Sequence, residues 1–219
     1  MTNVLLNYYN FDGEWAFDTL YPLINGKKTL VLPLAFRPEQ ATDNAGWQQI
    51  YGENGEKYPA ITRPFEAFGI VGDKLRWLNC FDEQADFIAQ IAWAEVLFFT
   101  GGMPERAIGW LDRLGLTEAV KNFDGVVMGA SAGAMLQLEH YHITPDEDYS
   151  DYGLWNGLGL VKGLDLEVHY LATDLQKQCT ARAVKDLGLP MYQMWHEGGL
   201  VVDGDKITVM GNVELVGKR

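Results

Sequence analysis

One serine stands in a setting that could make it reactive. In Val126-Val127-Met128-Gly129-Ala130-Ser131-Ala132-Gly133-Ala134-Met135, an apolar strand pattern stops at a glycine. A serine follows, and small residues lead into an apolar helical pattern. This order suits a sharp strand-to-helix turn that pushes one hydroxyl outward, because glycine tolerates strained backbone and small neighbours leave room for a substrate. At a helix N-terminus, free N–H groups can hold a developing oxyanion. The same run would also suit a tight turn whose serine only caps the helix. The chemistry therefore depends on partners.

A serine hydroxyl needs a base, usually histidine, and the base needs an acceptor to orient it. The chain has four histidines. His140 and His142 read as loop surface residues, too near in sequence to fold back over Ser131. His169 and His196 each end a strand pattern, and His169 is the better-placed base. Glu197, followed by Gly198-Gly199, is the leading acid, with Glu167 and Asp146 as rivals. Glu167 precedes His169 by two residues, which on a strand gives both side chains one face. Thr100-Gly101-Gly102 ends the strand before that of the serine. Its N–H groups could complete an oxyanion hole with that of Ala132, or the glycines could simply form a turn with positive φ. The order serine, histidine, acid differs from the α/β-hydrolase order, and the chain has no HGGG-type run.

These residues need a scaffold. Strand patterns cover Asn3–Tyr8, Thr29–Leu34, Val96–Phe99, Gly125–Met128, Leu166–Tyr170 and Met191–Trp195, with a further short one at Ala67–Val71. Helical patterns cover Glu14–Ile24, Phe81–Ala92, Pro104–Leu114 and Ala172–Leu187. The polar stretch Arg37–Pro64 holds a short helix near Ala45–Ile50 or a loop, and periodicity fails from Leu138 to Gly163. Leu200–Asp203 and Lys206–Val209 read as a terminal hairpin. Continuous apolar strands alternating with helices predict an α/β fold, a mostly parallel sheet sandwiched by helices. Strand ends near Gly102, Gly129 and Glu197 should then gather in one crevice.

The 219 residues suit a single domain, 1–219. A net charge of −13 opposes nucleic acid or an anionic membrane as a partner. Cys80 and Cys179 stand too far apart in sequence for a C-x-x-C pair and imply neither a disulfide framework nor a cysteine zinc site. The reading is a cytoplasmic chain, without a signal-like segment or a run approaching a membrane span. Oligomeric state is not legible, and a homodimer is compatible with the chain.

Four pieces resemble a known family in order and spacing. They are Phe99-Thr100-Gly101-Gly102, Gly129-Ala130-Ser131-Ala132-Gly133-Ala134, Gly157-Leu158-Gly159-Leu160 leading to His169-Tyr170, and Trp195 to Gly204 with Glu197-Gly198. Together the chain resembles the peptidase E family (aspartyl dipeptidase, serine peptidase family S51), which includes cyanophycinase. The resemblance implies a fold similar to class I glutamine amidotransferases and a serine-type peptidase acting on short peptides. It implies Ser131 as nucleophile, His169 as base, Glu197 as acid, and Gly102 and Ala132 as oxyanion donors. Gly101, Met103 and Asp146 become candidate substrate contacts, and neither a metal nor an organic cofactor is implied. Met103 stands where the family tends to carry a polar residue. Leu171–Gln178 lacks the arginine-containing segment that helps aspartyl dipeptidases select an N-terminal aspartate. A cyanophycinase-like or other small amidohydrolase and a catalytically silent binding protein of the same fold are the alternatives.

Overall fold

The computed structural model describes residues 1–217. Its strands are β1 (Thr2–Leu6), β2 (Thr29–Leu32), β3 (Leu75–Trp77), β4 (Val96–Phe99), β5 (Val126–Ala130), β6 (His140–Ile143), β7 (Gly153–Asn156), β8 (Asp165–Glu167), β9 (Met191–Asp203) and β10 (Lys206–Val216). Its helices are α1 (Glu14–Ile24), α2 (Asn44–Tyr51), α3 (Tyr58–Glu66), α4 (Phe87–Trp93), α5 (Pro104–Arg113), α6 (Thr117–Lys121), α7 (Ala132–Met135) and α8 (Asp174–Leu187).

Eight strands form one sheet in the order β10-β9-β1-β5-β4-β2-β3, with β8 also paired to β9. From β1 to β3 every pairing is parallel. β9 runs antiparallel to β1 and forms a C-terminal hairpin with β10. The expected α/β architecture is present. Every residue of β2, β4 and β5 is buried, as continuous apolar strands require. β1 shows why both faces must be covered. Val4 and Leu6 enter one apolar cluster, while Leu5 between them enters a second with Leu200 and Met194.

One feature of register positions the site. β1 occupies the edge of β9 opposite Gly199–Asp203, and β8 occupies the same edge opposite Met191–Gln193. β1 is antiparallel to β9 and β8 is parallel to it. The carboxyl ends of β1 and β8 therefore point at each other.

Several local expectations are corrected. Ala67–Val71 is not a strand. It is the turn after α3, which buries Phe68 and Ile70 without pairing them. The stretch Arg37–Pro64 holds two helices, α2 and most of α3. The helix expected from Phe81 begins only at Phe87. Asn79 and Asp82 hold the preceding backbone in side-chain turns, and Asp86 caps the helix by accepting the Ala89 N–H at 2.9 Å. The stretch after Leu138 is ordered as the β6–β7 pair. The last two expected strands of the sheet are one continuous strand, β9, because β10 pairs with it from Asp203 to Met191. Glu197 therefore lies within a strand rather than at its end. No helix among the described residues is long and apolar enough to cross a membrane.

Candidate active site

β5 ends at Ala130, and the chain turns at Ser131 with φ 54° and ψ −119°. That is a strained conformation for a residue with a Cβ, and it persists only where surroundings enforce it. Here the Ser131 N–H donates to the Leu6 carbonyl at 2.9 Å, and its own carbonyl accepts from Ala134 at 2.8 Å. The turn is tight enough that a Cβ on Gly129 would come within 2.0 Å of the Gly133 carbonyl oxygen. The helix that follows, α7, is a single turn.

His169 follows β8 and also has a left-handed backbone, φ 54°. Its N–H donates to Asn7 Oδ1 at 2.6 Å, and its carbonyl accepts from Gln176 Nε2 at 2.9 Å. The ring Nε2 lies 2.8 Å from Ser131 Oγ. With the ring proton on Nδ1, the hydroxyl donates to Nε2, the geometry from which a base removes a proton. Nδ1 is buried and has no hydrogen-bond partner among the described residues. The Tyr8 ring packs 4.3 Å from the imidazole. Burial pulls the His169 imidazole below the ordinary histidine range; the Asp146 charge pulls it back up, and His196 pushes it down.

Ser131, Ala132, Gly102, Asp146 and His169 line one cavity of about 310 Å³. The loop carrying Gly102 has a definite hydrogen-bond pattern. The Gly101 N–H donates to the Tyr9 hydroxyl at 2.7 Å, and the Met103 N–H donates to the Ala35 carbonyl at 2.7 Å. Among the described residues, the Gly102 and Ala132 N–H groups have no such acceptor. Gly102 must be glycine. Its φ is 134°, and a Cβ would sit 2.0 Å from the Ala35 oxygen.

Other sequence candidates make no hydrogen bond with the Ser131–His169 pair among the described residues. Glu197 is exposed on β9 and makes no hydrogen bond to His169 among the described residues. His196 is exposed, its ring 4.8 Å from that of Tyr8. Gly101 and Met103 do not line the cavity, their N–H groups being spent on the scaffold. Asp146 sits at the rim, its Oδ1 accepting from the Asp148 and Tyr149 N–H groups at 2.8 and 3.1 Å.

Two groups escaped the sequence reading. His142 is not a surface loop residue. It is 1% exposed on β6, with Nδ1 2.7 Å from Asp165 and Nε2 2.6 Å from Glu167. Glu167 also accepts from Thr144 at 2.8 Å, so its hydrogen-bond partners are His142 and Thr144 rather than His169. The available signal was the i, i+2 pair Asp165 and Glu167, which a strand places on one face. The second group is Asn7-Tyr8-Tyr9. Its signal was position, at the carboxyl end of an expected strand in a parallel sheet; β1 stops at Leu6 rather than at Tyr8 and leaves these residues free to reach the site. Among the described residues, no group of three or more histidine, cysteine, aspartate or glutamate side chains is arranged to hold a metal ion.

No family model matches this chain, and no curated protein does. Among solved structures it is similar to a protein of Listeria monocytogenes EGD-e provisionally described as peptidase E. The TM-score is 0.66 at 18% identity, over 95% of this chain and 96% of the other. It is also similar to a peptidase from an acI-B1 Actinobacterium. There the TM-score is 0.56 at 19% identity, over 99% of this chain and 87% of the other. At these identities the likeness is one of fold.

Proposed function

We propose that this protein is a serine hydrolase that cleaves amide bonds of short peptides, with Ser131 as nucleophile and His169 as base. The observation that carries this reading is the 2.8 Å contact between Ser131 Oγ and His169 Nε2 at the foot of a cavity. The strained serine and two unengaged N–H groups stand beside it. Ser131 Oγ attacks the scissile carbonyl as its proton passes to Nε2. The Gly102 and Ala132 N–H groups donate to the oxyanion. The imidazolium then protonates the leaving amine, and water, activated by the same ring, releases the acid.

The family pattern supplies Glu197 as the acid. Asp146 is the second reading, because its charge acts on His169 from the cavity rim. The fold likeness to proteins described as peptidases supports the reaction class. An N-terminal aspartate is not expected to be required, because no lysine or arginine lines the cavity among the described residues. Arg37 is engaged by Glu147 and Asp148, and Arg63 lies 3.5 Å from Asp12.

The test is labelling with a fluorophosphonate beside peptide hydrolysis. Wild type should label at Ser131; Ser131→Ala and His169→Ala should lose labelling and several orders of magnitude in turnover. Hydrolysis that survives Ser131→Ala would refute the assignment. Glu197→Gln and Asp146→Asn separate the two acids, the correct one being the variant with the larger loss in kcat.

A further inference from the structure

The segment that leaves β1 is in contact with both halves of the candidate machinery. The Leu6 carbonyl accepts from the Ser131 N–H. Asn7 is fully buried, and its amide works in both directions, accepting from the His169 N–H at 2.6 Å and donating to the Trp195 carbonyl at 2.6 Å. Tyr8 packs against both the His169 and His196 rings. Tyr9 turns the other way, and its hydroxyl oxygen receives the Gly101 N–H at 2.7 Å. The opposed carboxyl ends of β1 and β8 make this convergence possible, since Asn7 and His169 leave the same edge of β9 from opposite directions.

We propose that Asn7 and Tyr9 are positioning residues for the reaction of Ser131, Asn7 fixing the main chain of the base and Tyr9 fixing the oxyanion loop. This rests on the serine-hydrolase reading above. Of the three successive N–H groups at Gly101, Gly102 and Met103, two have acceptors in the scaffold. Tyr9 takes the first and the Ala35 carbonyl takes the third, and the one left without an acceptor among the described residues belongs to Gly102, which lines the cavity. Burial pushes the Tyr9 hydroxyl up to about 12, so it stays neutral and adds no repulsion to a nearby oxyanion. His169 holds φ 54°, and its peptide groups are pinned by two side-chain amides, Asn7 on the N–H and Gln176 on the carbonyl. An orientation held this way needs no reorganisation during the reaction, which is where misplacement by an ångström costs rate.

Tyr9→Phe removes a single oxygen and keeps the ring against Phe98. It should lower kcat about 10- to 100-fold with KM within twofold. Its affinity for a peptide aldehyde, whose adduct places an oxyanion in the hole, should fall by the same factor, while affinity for the product peptide stays unchanged. A purely structural tyrosine would not separate these two affinities. Asn7→Ala should lower kcat and raise the apparent pKa of the acid limb toward the ordinary histidine value. A ring no longer held in place escapes the burial that depresses it, with Asp146 and His196 still the charges acting on it. Wild-type kcat in either variant overturns the role of that residue and leaves the hydrolase reading intact. A wild-type protein with no Ser131-dependent labelling or hydrolysis overturns both.

Discussion

Ser131 and His169 share a left-handed φ of 54°, a conformation that costs a non-glycine residue on the order of 1–3 kcal/mol. Two such residues in hydrogen-bond contact are hard to explain by packing alone, and both are held in place, Ser131 by backbone partners and His169 by the side-chain amides of Asn7 and Gln176. The electrostatics of the pair yields a pH prediction. Burial depresses His169, so the neutral base should persist below the ordinary histidine value of about 6.5. The kcat/KM profile should rise with pH through an apparent pKa under that value and be flat by neutrality. Asp146→Asn removes a charge that raises the pKa and should shift the limb further down. His196→Ala removes one that lowers it and should shift the limb up. Initial-rate profiles of the three proteins test the order; an unchanged limb in both variants would refute it. Gly102→Ala tests the proposed oxyanion loop. The added Cβ would meet the Ala35 oxygen at 2.0 Å, so the loop must move. A loss in kcat of about 100-fold or more, with the fold retained by circular dichroism, is the expected result.

At the scale of elements, His142 ties β6 to β8, the strand that delivers His169. It is buried between Asp165 and Glu167. Burial alone would lower its pKa, but the Asp165 and Glu167 carboxylates win and raise it to about 9. The folded value lies above the unfolded one. The stabilisation is therefore complete below about pH 6.5 and is lost as pH rises through about 9. Wild-type unfolding free energy should fall by roughly 3 kcal/mol across that window. His142→Gln should be less stable at pH 6 and nearly flat over the same range. Urea denaturation at pH 6, 7.5 and 9.5 measures it, and parallel curves for the two proteins would refute the role. The β1–β8 junction belongs to this scale too, because neither strand alone determines where its last residue points.

Across the whole molecule, a net charge of −13 surrounds a cavity lined by Asp146 and Glu167 and, among the described residues, by no lysine or arginine. The His142 ring also lines the cavity, but both its nitrogens are engaged by Asp165 and Glu167, so a substrate carboxylate buried there would have no free cationic partner, which is costly. Peptides with an N-terminal aspartate should be cleaved no faster than their alanine or leucine counterparts. A cavity of about 310 Å³ also favours short substrates over long ones. A panel varying the N-terminal residue and the length checks both. A tenfold or greater preference for aspartate would refute the charge argument and direct attention to Arg37, Arg63 and Arg106.

The sequence by itself determined the alternation of buried strands and helices, the small-residue elbow at Ser131 and the loop at Gly102. Each is written in neighbouring residues, through hydrophobic period, glycine and side-chain size. It left His169 and His196 as rival bases, and only tertiary structure brought His169 to the serine, across 38 residues. It placed Glu197 at a strand end, whereas pairing with β10 carries β9 straight through it. It missed Tyr9 beside Gly101 and Asn7 beside His169, contacts separated by 92 and 162 residues. It also read His142 as surface, because nothing near that residue in the chain announces the carboxylates of β8. Local patterns decide which residues can form a strand or a turn. Which side chains then meet depends on strand order and register, and these are set by burying the apolar faces of the whole sheet at once.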